Sequence, residues 1–284
     1  MAYLVHILTL ISIYAILALS LNLVVGYAGL ISLAHAAFYG IGAYAVAILA
    51  AQYGLAFFPG VLIGCAIAAA ASAGVGLLLS RFRDDYYMLV SLGFCAIATG
   101  VFVNWIGLTG GPLGIAGIPR PIAFSSNESF LLLCLAFALL VFWASRWIAT
   151  SSFGRALKGI REDEIVIQVL GYNTYAYKLV IFVFSAVCAS IAGALYASYV
   201  SFIDPQTFDL NESIVILSMI IVGGLASIRG SIAGAAFLML LPEILRFVGF
   251  PGALAGQMRE FVFGLILTLL MLYRPKGLIG EYRL

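Results

Sequence analysis

The chain has 284 residues, of which 64% are hydrophobic and only 9% charged, with a formal net charge of +2 and a mean hydropathy of +1.15. Soluble domains hold about 45–50% apolar residues, so this composition excludes an ordinary water-soluble domain, and so small a charge gives no basis for nucleic-acid binding. Continuous apolar runs such as "FLLLCLAFALLVFWA" also exclude a transmembrane β-barrel, whose strands alternate apolar and polar residues.

The expected class is all-α, a polytopic transmembrane bundle of about 8–10 spans forming one membrane domain over residues 1–284. The N-terminal stretch lacks a basic region, and its apolar run is longer than that of a signal peptide, so it reads as a retained first span. Spans are predicted at 3–25, 30–51, 57–80, 86–107, 129–149, 177–200, 212–228, 231–248 and 259–273. Gly26, Gly29, Gly40 and Gly42 introduce a second possibility for 20–51, a split helix or a re-entrant segment. The loops 108–128, rich in Gly and Pro, and 201–212, with Asp204, Asp209 and Glu212, interrupt the helices. Cys65, Cys95, Cys134 and Cys188 all fall within apolar runs without metal-ligand spacing and read as small buried hydrophobes.

Basic residues set the orientation. Placing 81–85, 146–178, Arg229 and the C-terminal tail in the cytoplasm puts eleven of the 14 Lys and Arg residues inside and leaves Arg120, Arg246 and Arg259 outside. The N-terminus is then external, the C-terminus cytoplasmic, and both long loops external.

His35, in the second predicted span, reads either as a hydrogen-bonding partner of a neighbouring helix or as part of a translocation path. Gly26, Gly29, Gly40, Gly223 and Gly224 are candidates for the same path. They fit close helix packing, or a broken helix whose positive N-terminal end faces an anionic group. "VGYAGLISLAHAAF" (25–38) echoes "VGGLASIRGSIAGAAF" (222–237). The first starts near the cytoplasmic end of the second span and the second crosses the turn between the seventh and eighth. An internal repeat and a chance likeness of Gly/Ala-rich helices both remain open.

Arg155, Lys158, Arg161, Glu162, Asp163 and Glu164 fall within ten positions of this otherwise apolar chain. Residues 154–170 are predicted as one amphipathic helix, with Lys158 and Glu162 at i, i+4. Gly171 suits a left-handed stop, and Asn173 or Thr174 a cap for the next span. A solvated loop that enforces topology explains the charges; a helix seated on a cytoplasmic ATPase explains the helix and its stop as well. The chain itself has no phosphate-cradling G-x-x-x-x-G-K-[ST] loop and almost no charge at span centres. Energy is therefore expected from a partner, with carbonyl-mediated sodium coupling as the remaining possibility.

"LSLNLVVGYAGLISLAHAAFYGIGAYAVAIL", "GRALKGIREDEIVIQVLGYNTYAYKL", "FSAVCASIAGALYASYVSFIDPQTF" and "IVILSMIIVGGLASIRGSIAGAAFLMLLPEIL" together resemble the permease family of branched-chain amino-acid ABC importers, over about 120 residues. They are closer to the M-type than to the H-type subunit. The resemblance implies a permease of the branched-chain amino-acid/sugar type in the bacterial inner membrane. It implies four kinds of partner: a sister H-type permease, two ATPases that bind the ATP and magnesium, an external solute-binding protein and the lipid bilayer. This chain would hold no cofactor and no catalytic residue. A cytoplasmic coupling loop at 151–176 would contact the ATPase through Gly154, Arg155, Lys158, Arg161, Glu162, Asp163, Glu164 and Gly171. Glu164 and Gly171 match the acidic residue and the glycine of the family's loop motif, whereas Val166 and Ile167 stand where Ala-Ala is common. Asp204, Asp209 and Glu212 become candidates for binding-protein docking. The family includes permeases for urea, short amides and other small polar solutes, and an ion-coupled carrier or channel is the alternative outside it.

Overall fold

The computed structural model describes residues 2–79 and 84–247, with 264, 265, 268, 277 and 278. In chain order the helices are α1 (Ala2–Asn22), which continues as a π-helical turn over Leu23–Tyr27, α2 (His35–Ala51), α3 (Phe57–Leu79), α4 (Asp84–Asn104), the short α5 (Ile106–Thr109), α6 (Asn127–Thr150), α7 (Ser152–Glu162), α8 (Glu164–Val169), α9 (Thr174–Val200), α10 (Leu210–Gly223) and α11 (Ile228–Phe247). Five segments among the described residues are long and apolar enough to cross a bilayer: Tyr3–Tyr27, Phe57–Leu79, Tyr86–Asn104, Asn127–Thr150 and Thr174–Val200. The expected span at 259–273 and the basic residues Arg81, Arg83 and Arg259 lie almost wholly outside the described residues.

α2 and α9 form the centre and pack on each other more extensively than any other pair, with α1 and α3 against them and α10 and α11 beside α1. The α2–α9 contact is a backbone approach: a methyl group on Gly42 would collide with the Ser190 carbonyl, and one on Gly193 with that of Tyr39. Small residues serve this purpose where lipid supplies no hydrophobic drive between helices. α3, α4 and α6 turn Leu62, Ile67, Leu78, Leu89, Ile97, Leu132 and Leu140 outward, the apolar surface that hydrocarbon solvates. Trp105 follows the end of α4, and Trp147 lies near the end of α6. These are the levels at which amphipathic rings anchor a helix.

Two helices differ from the sequence expectation. The second span starts at His35, five residues late, because 28–34 is not helical. The seventh ends at Gly223, and its 14 residues reach about 21 Å at 1.5 Å per residue, less than the roughly 30 Å of a hydrocarbon core. The interruption is deep. Ser185, eleven residues into α9, donates to the Ser20 carbonyl at 2.7 Å, and Ser20 Oγ shares a 2.9 Å hydrogen bond with His35 Nε2. At the far end of the bundle, the loops 105–126 and 201–209 are joined by a two-residue antiparallel ladder, β1 (Ile115–Ala116) with β2 (Phe202–Ile203). Arg120 ties them further, donating to the Tyr199 carbonyl at 3.0 Å and to Asn127 Oδ1 at 2.7 Å.

Gly193→Ala places its methyl against backbone rather than a flexible side chain. Overpacking of this kind costs about 1–3 kcal/mol, and thermal unfolding of the purified protein in mild detergent is expected to show a lower midpoint.

Candidate functional site

The charged segment forms two helices, not one. Asp163 leaves helical geometry (φ −154°, ψ 102°), and its Oδ1 accepts from Ile165 N at 2.9 Å and Val166 N at 3.2 Å. A side chain that satisfies two backbone donors two and three residues on is a helix start, so 154–170 breaks there. Ser151 caps α7 in the same way through Gly154 N. Gly171 adopts φ +87° and stops α8, and Asn173 Oδ1 caps α9 through Ala176 N at 3.2 Å, as the sequence indicates. α7 and α8 thus form a bent hairpin between the ends of α6 and α9.

One face of α7 is bound to the bundle. Leu157 and Ile160 are buried, and Gly154 packs on the last turn of α6. Arg161 Nη1 donates to the Gly26 carbonyl, and its stem lies against Gly29. Lys158 Nζ sits 5.2 Å from the centroid of the Tyr27 ring. Two of the basic residues expected to reach a partner therefore grip the π-helical turn of their own chain. Glu164 also points inward: its Oε2 is 2.7 Å from Lys178 Nζ, and its Oε1 accepts from Thr174 Oγ1 at 2.9 Å. The Lys178 side chain is 2% and that of Glu164 13% exposed, so this ion pair locks α8 onto α9. A polar cleft of about 240 Å³ lies between Ala28–Leu30, the α7–α8 bend and Lys178.

What faces outward is apolar. Ile165, Val166, Val169, Leu170 and Tyr172 are all exposed, Val169 by 81%, as are the charged Arg155, Glu162 and Asp163 of the same hairpin. The sequence reading assigned contact to the charges and treated Val166 as a departure from pattern. It missed the patch because α8's six residues are too few to show a period.

The grip continues inward. Asn22 Nδ2 donates to the Ser227 carbonyl at 3.0 Å and to Ser231 Oγ at 2.7 Å, while its Oδ1 accepts from Ala226 N at 3.0 Å. Gly26 lies directly against Ala226, and Leu278 N donates to the Val222 carbonyl at 2.9 Å. The break after α1 and the turn between α10 and α11, the two stretches that echo each other in sequence, thus touch, and each joins two helices at the same end of the bundle.

The residues offered as a translocation path are interior. His35 bonds Ser20 across α1 and α2; Gly40 meets Phe102 and Phe208; Gly223 packs on Gly230 and Gly234; Gly224 turns the chain at φ 111°. Gly26, His35, Gly40, Gly223 and Gly224 are thus packed against neighbouring helices in this chain, whereas Gly29 lines the polar cleft beside the α7–α8 bend. Of the outer acids, Asp204 accepts from Thr207 N and Oγ1, and Asp209 caps α10 through Glu212 N at 3.2 Å. Glu212 is only partly exposed, with Oε1 fully buried.

A bundle of apolar helices whose backbone is interrupted inside the hydrocarbon, with an amphipathic hairpin at one end, is the architecture of a membrane permease. The family model for the branched-chain amino acid transport system / permease component matches residues 3–271, and the chain belongs to that family. It is 34% identical to the high-affinity branched-chain amino acid transport system permease protein LivM of Escherichia coli K12, over 98% of this chain and 70% of that one. It is 25% identical to LivH of the same strain, over 96% and 93%, and 24% identical to a probable LivM of Methanocaldococcus jannaschii, over 94% and 90%. No solved structure matches.

Removing one partner of a buried ion pair leaves an uncompensated charge and costs about 3–5 kcal/mol. Lys178→Met is expected to lower the unfolding midpoint markedly, and adding Glu164→Gln to recover most of the loss, as a double-mutant cycle in detergent will show.

Proposed function

We propose that the chain is the M-type permease subunit of an ATP-driven importer for leucine, isoleucine and valine. It forms the translocation path with an H-type sister permease. Two ATPases sit at the α7–α8 end, supply the ATP and magnesium chemistry, and move the hairpin; this chain is not itself an enzyme. A solute-binding protein docks at the opposite end, where β1, β2 and the 201–209 loop present Asp204 and Asp209. The protein resides in the inner membrane, with the α7–α8 end and the C-terminus cytoplasmic.

The α8 surface carries the reading. An exposed apolar patch, with exposed charges on the same rigidly anchored hairpin, is the form a protein-docking surface takes, and identity to LivM extends across nearly the whole chain. Among the described residues, Arg146, Arg155, Lys158, Arg161, Lys178 and Arg229 gather at this end, against Arg120 and Arg246 at the other, which supports its cytoplasmic placement. The ion pair and the Arg161 grip keep the hairpin attached to the bundle, so a push on α8 is transmitted to α1, α9 and, through Asn22, to the α10–α11 turn.

Purification from the native membrane in mild detergent is expected to retain a sister permease and an ATPase pair. Val169→Asp and Arg155→Glu change exposed side chains; Arg155 gives up only an exposed hydrogen bond to the Thr150 carbonyl. Each should lower leucine uptake at least tenfold, about 1.4 kcal/mol or more of lost coupling, with normal insertion. Full uptake in both variants would exclude α8 as the docking surface.

A further inference from the structure

The first turns of α2 and α10 meet inside the bundle, where Ala36 N donates to Ser213 Oγ at 3.0 Å. Beside this junction lies a group of phenols. Tyr39 and Tyr196 have ring centroids 5.5 Å apart, and Tyr39 packs edge-on against Phe208 at 5.1 Å. Tyr39 has Tyr14, Tyr196 and Glu212 as its electrostatic neighbours, and Tyr196 has both Glu212 and Asp204. The Tyr39 side chain is wholly buried, and its hydroxyl has no hydrogen-bond partner. Tyr44, whose neighbouring charge is Asp204, likewise buries an unpartnered hydroxyl.

A buried hydroxyl without a partner destabilises a protein, and phenylalanine would fill the same space without that cost. Two such phenols, with Glu212 and Asp204 as their neighbouring charges, carry hydroxyls whose bonding the chain does not itself supply. The carboxylates bring negative charge, the hydroxyls bring acceptor lone pairs, and the rings present electron-rich faces. All three favour a cation with N–H donors.

We infer that Tyr39, Tyr196 and Glu212, with Tyr14 beside them, form a station for the α-ammonium group of the amino-acid cargo on its way through the membrane, with Asp204 and Tyr44 at its entrance. This rests on the reading of the chain as an amino-acid permease. Tyr14, Tyr196 and Glu212 are all partly exposed in this chain, so the station opens at its surface. In this arrangement the carboxylate balances the ammonium charge and the free phenol supplies the missing acceptor.

The test uses the complete complex in proteoliposomes with leucine-loaded binding protein, and reads radiolabelled leucine uptake beside the unfolding midpoint and subunit assembly. Tyr39→Phe is expected to cut uptake at least fivefold while the midpoint stays level or rises, and Glu212→Gln to cut it at least tenfold with assembly intact. A purely structural role predicts that uptake falls only together with the midpoint or assembly. That outcome, or wild-type uptake in both variants, overturns the station. Wild-type complex that takes up none of leucine, isoleucine or valine overturns the functional reading, and the station with it.

Discussion

Backbone amides left open inside hydrocarbon have no water to bond, and each costs several kcal/mol unless the protein itself supplies a partner. This chain breaks its helices in several places at depth, so the positions of its few polar side chains are dictated by those breaks. Ser91 Oγ accepts from Leu33 N, Ser213 Oγ from Ala36 N, Asn22 Oδ1 from Ala226 N, and Arg161 donates to the Gly26 carbonyl. Each partner comes from a different helix. The side chains that make the breaks tolerable therefore also tie α1, α2, α4, α7, α10 and α11 together at them.

This arrangement gives the hairpin its leverage. A helix lying on the membrane surface by apolar contact alone can slide; α7 cannot without uncovering Gly26. The carbonyl it caps belongs to the π-helical turn that carries α1 into the break, four residues beyond the asparagine that holds the α10–α11 turn. The ion pair from Glu164 to Lys178 adds α9, the other central helix. A displacement at α8 is thus shared among three helices that meet at the core, while α3 and α6 present mainly side chains to lipid.

The sequence was legible where the physics is local. Composition indicates the membrane class, and Gly171 and Asn173 the stop and restart after α8. The break at 28–34 was foreseen as one of two possibilities because glycines cluster there, but its partners lie far away in sequence: Ser91 and Ser213 are separated from it by 58 and 177 positions. The contacts that Arg161, Lys158 and Glu164 make within the chain escape the sequence for the same reason. Charge on an amphipathic helix suggests solvent or a partner; only the position of Tyr27, Gly26 and Lys178 reveals that these three face home. Asp163 is one charge among six in the sequence, but Asp before two backbone donors is also a cap, and that role divides the helix.

The meeting of α2 and α10 sets an electrostatic problem of its own. α2 begins inside the bundle and the first turn of α10 reaches it there, so both bring the positive end of their dipole towards that point, roughly half a charge each. Unopposed, that field repels cations and holds anions. Asp209 at the cap of α10 and Glu212 in its first turn oppose it. A zwitterion needs such balance: its carboxylate is favoured by open helix starts and its ammonium by carboxylates and phenols, within the few ångströms that separate the two groups. A path lined only with apolar residues would leave both charges unsolvated. The broken helices and the acids beside them place opposite partial charges at close range, and the proposed passage of an amino acid through hydrocarbon would draw on both.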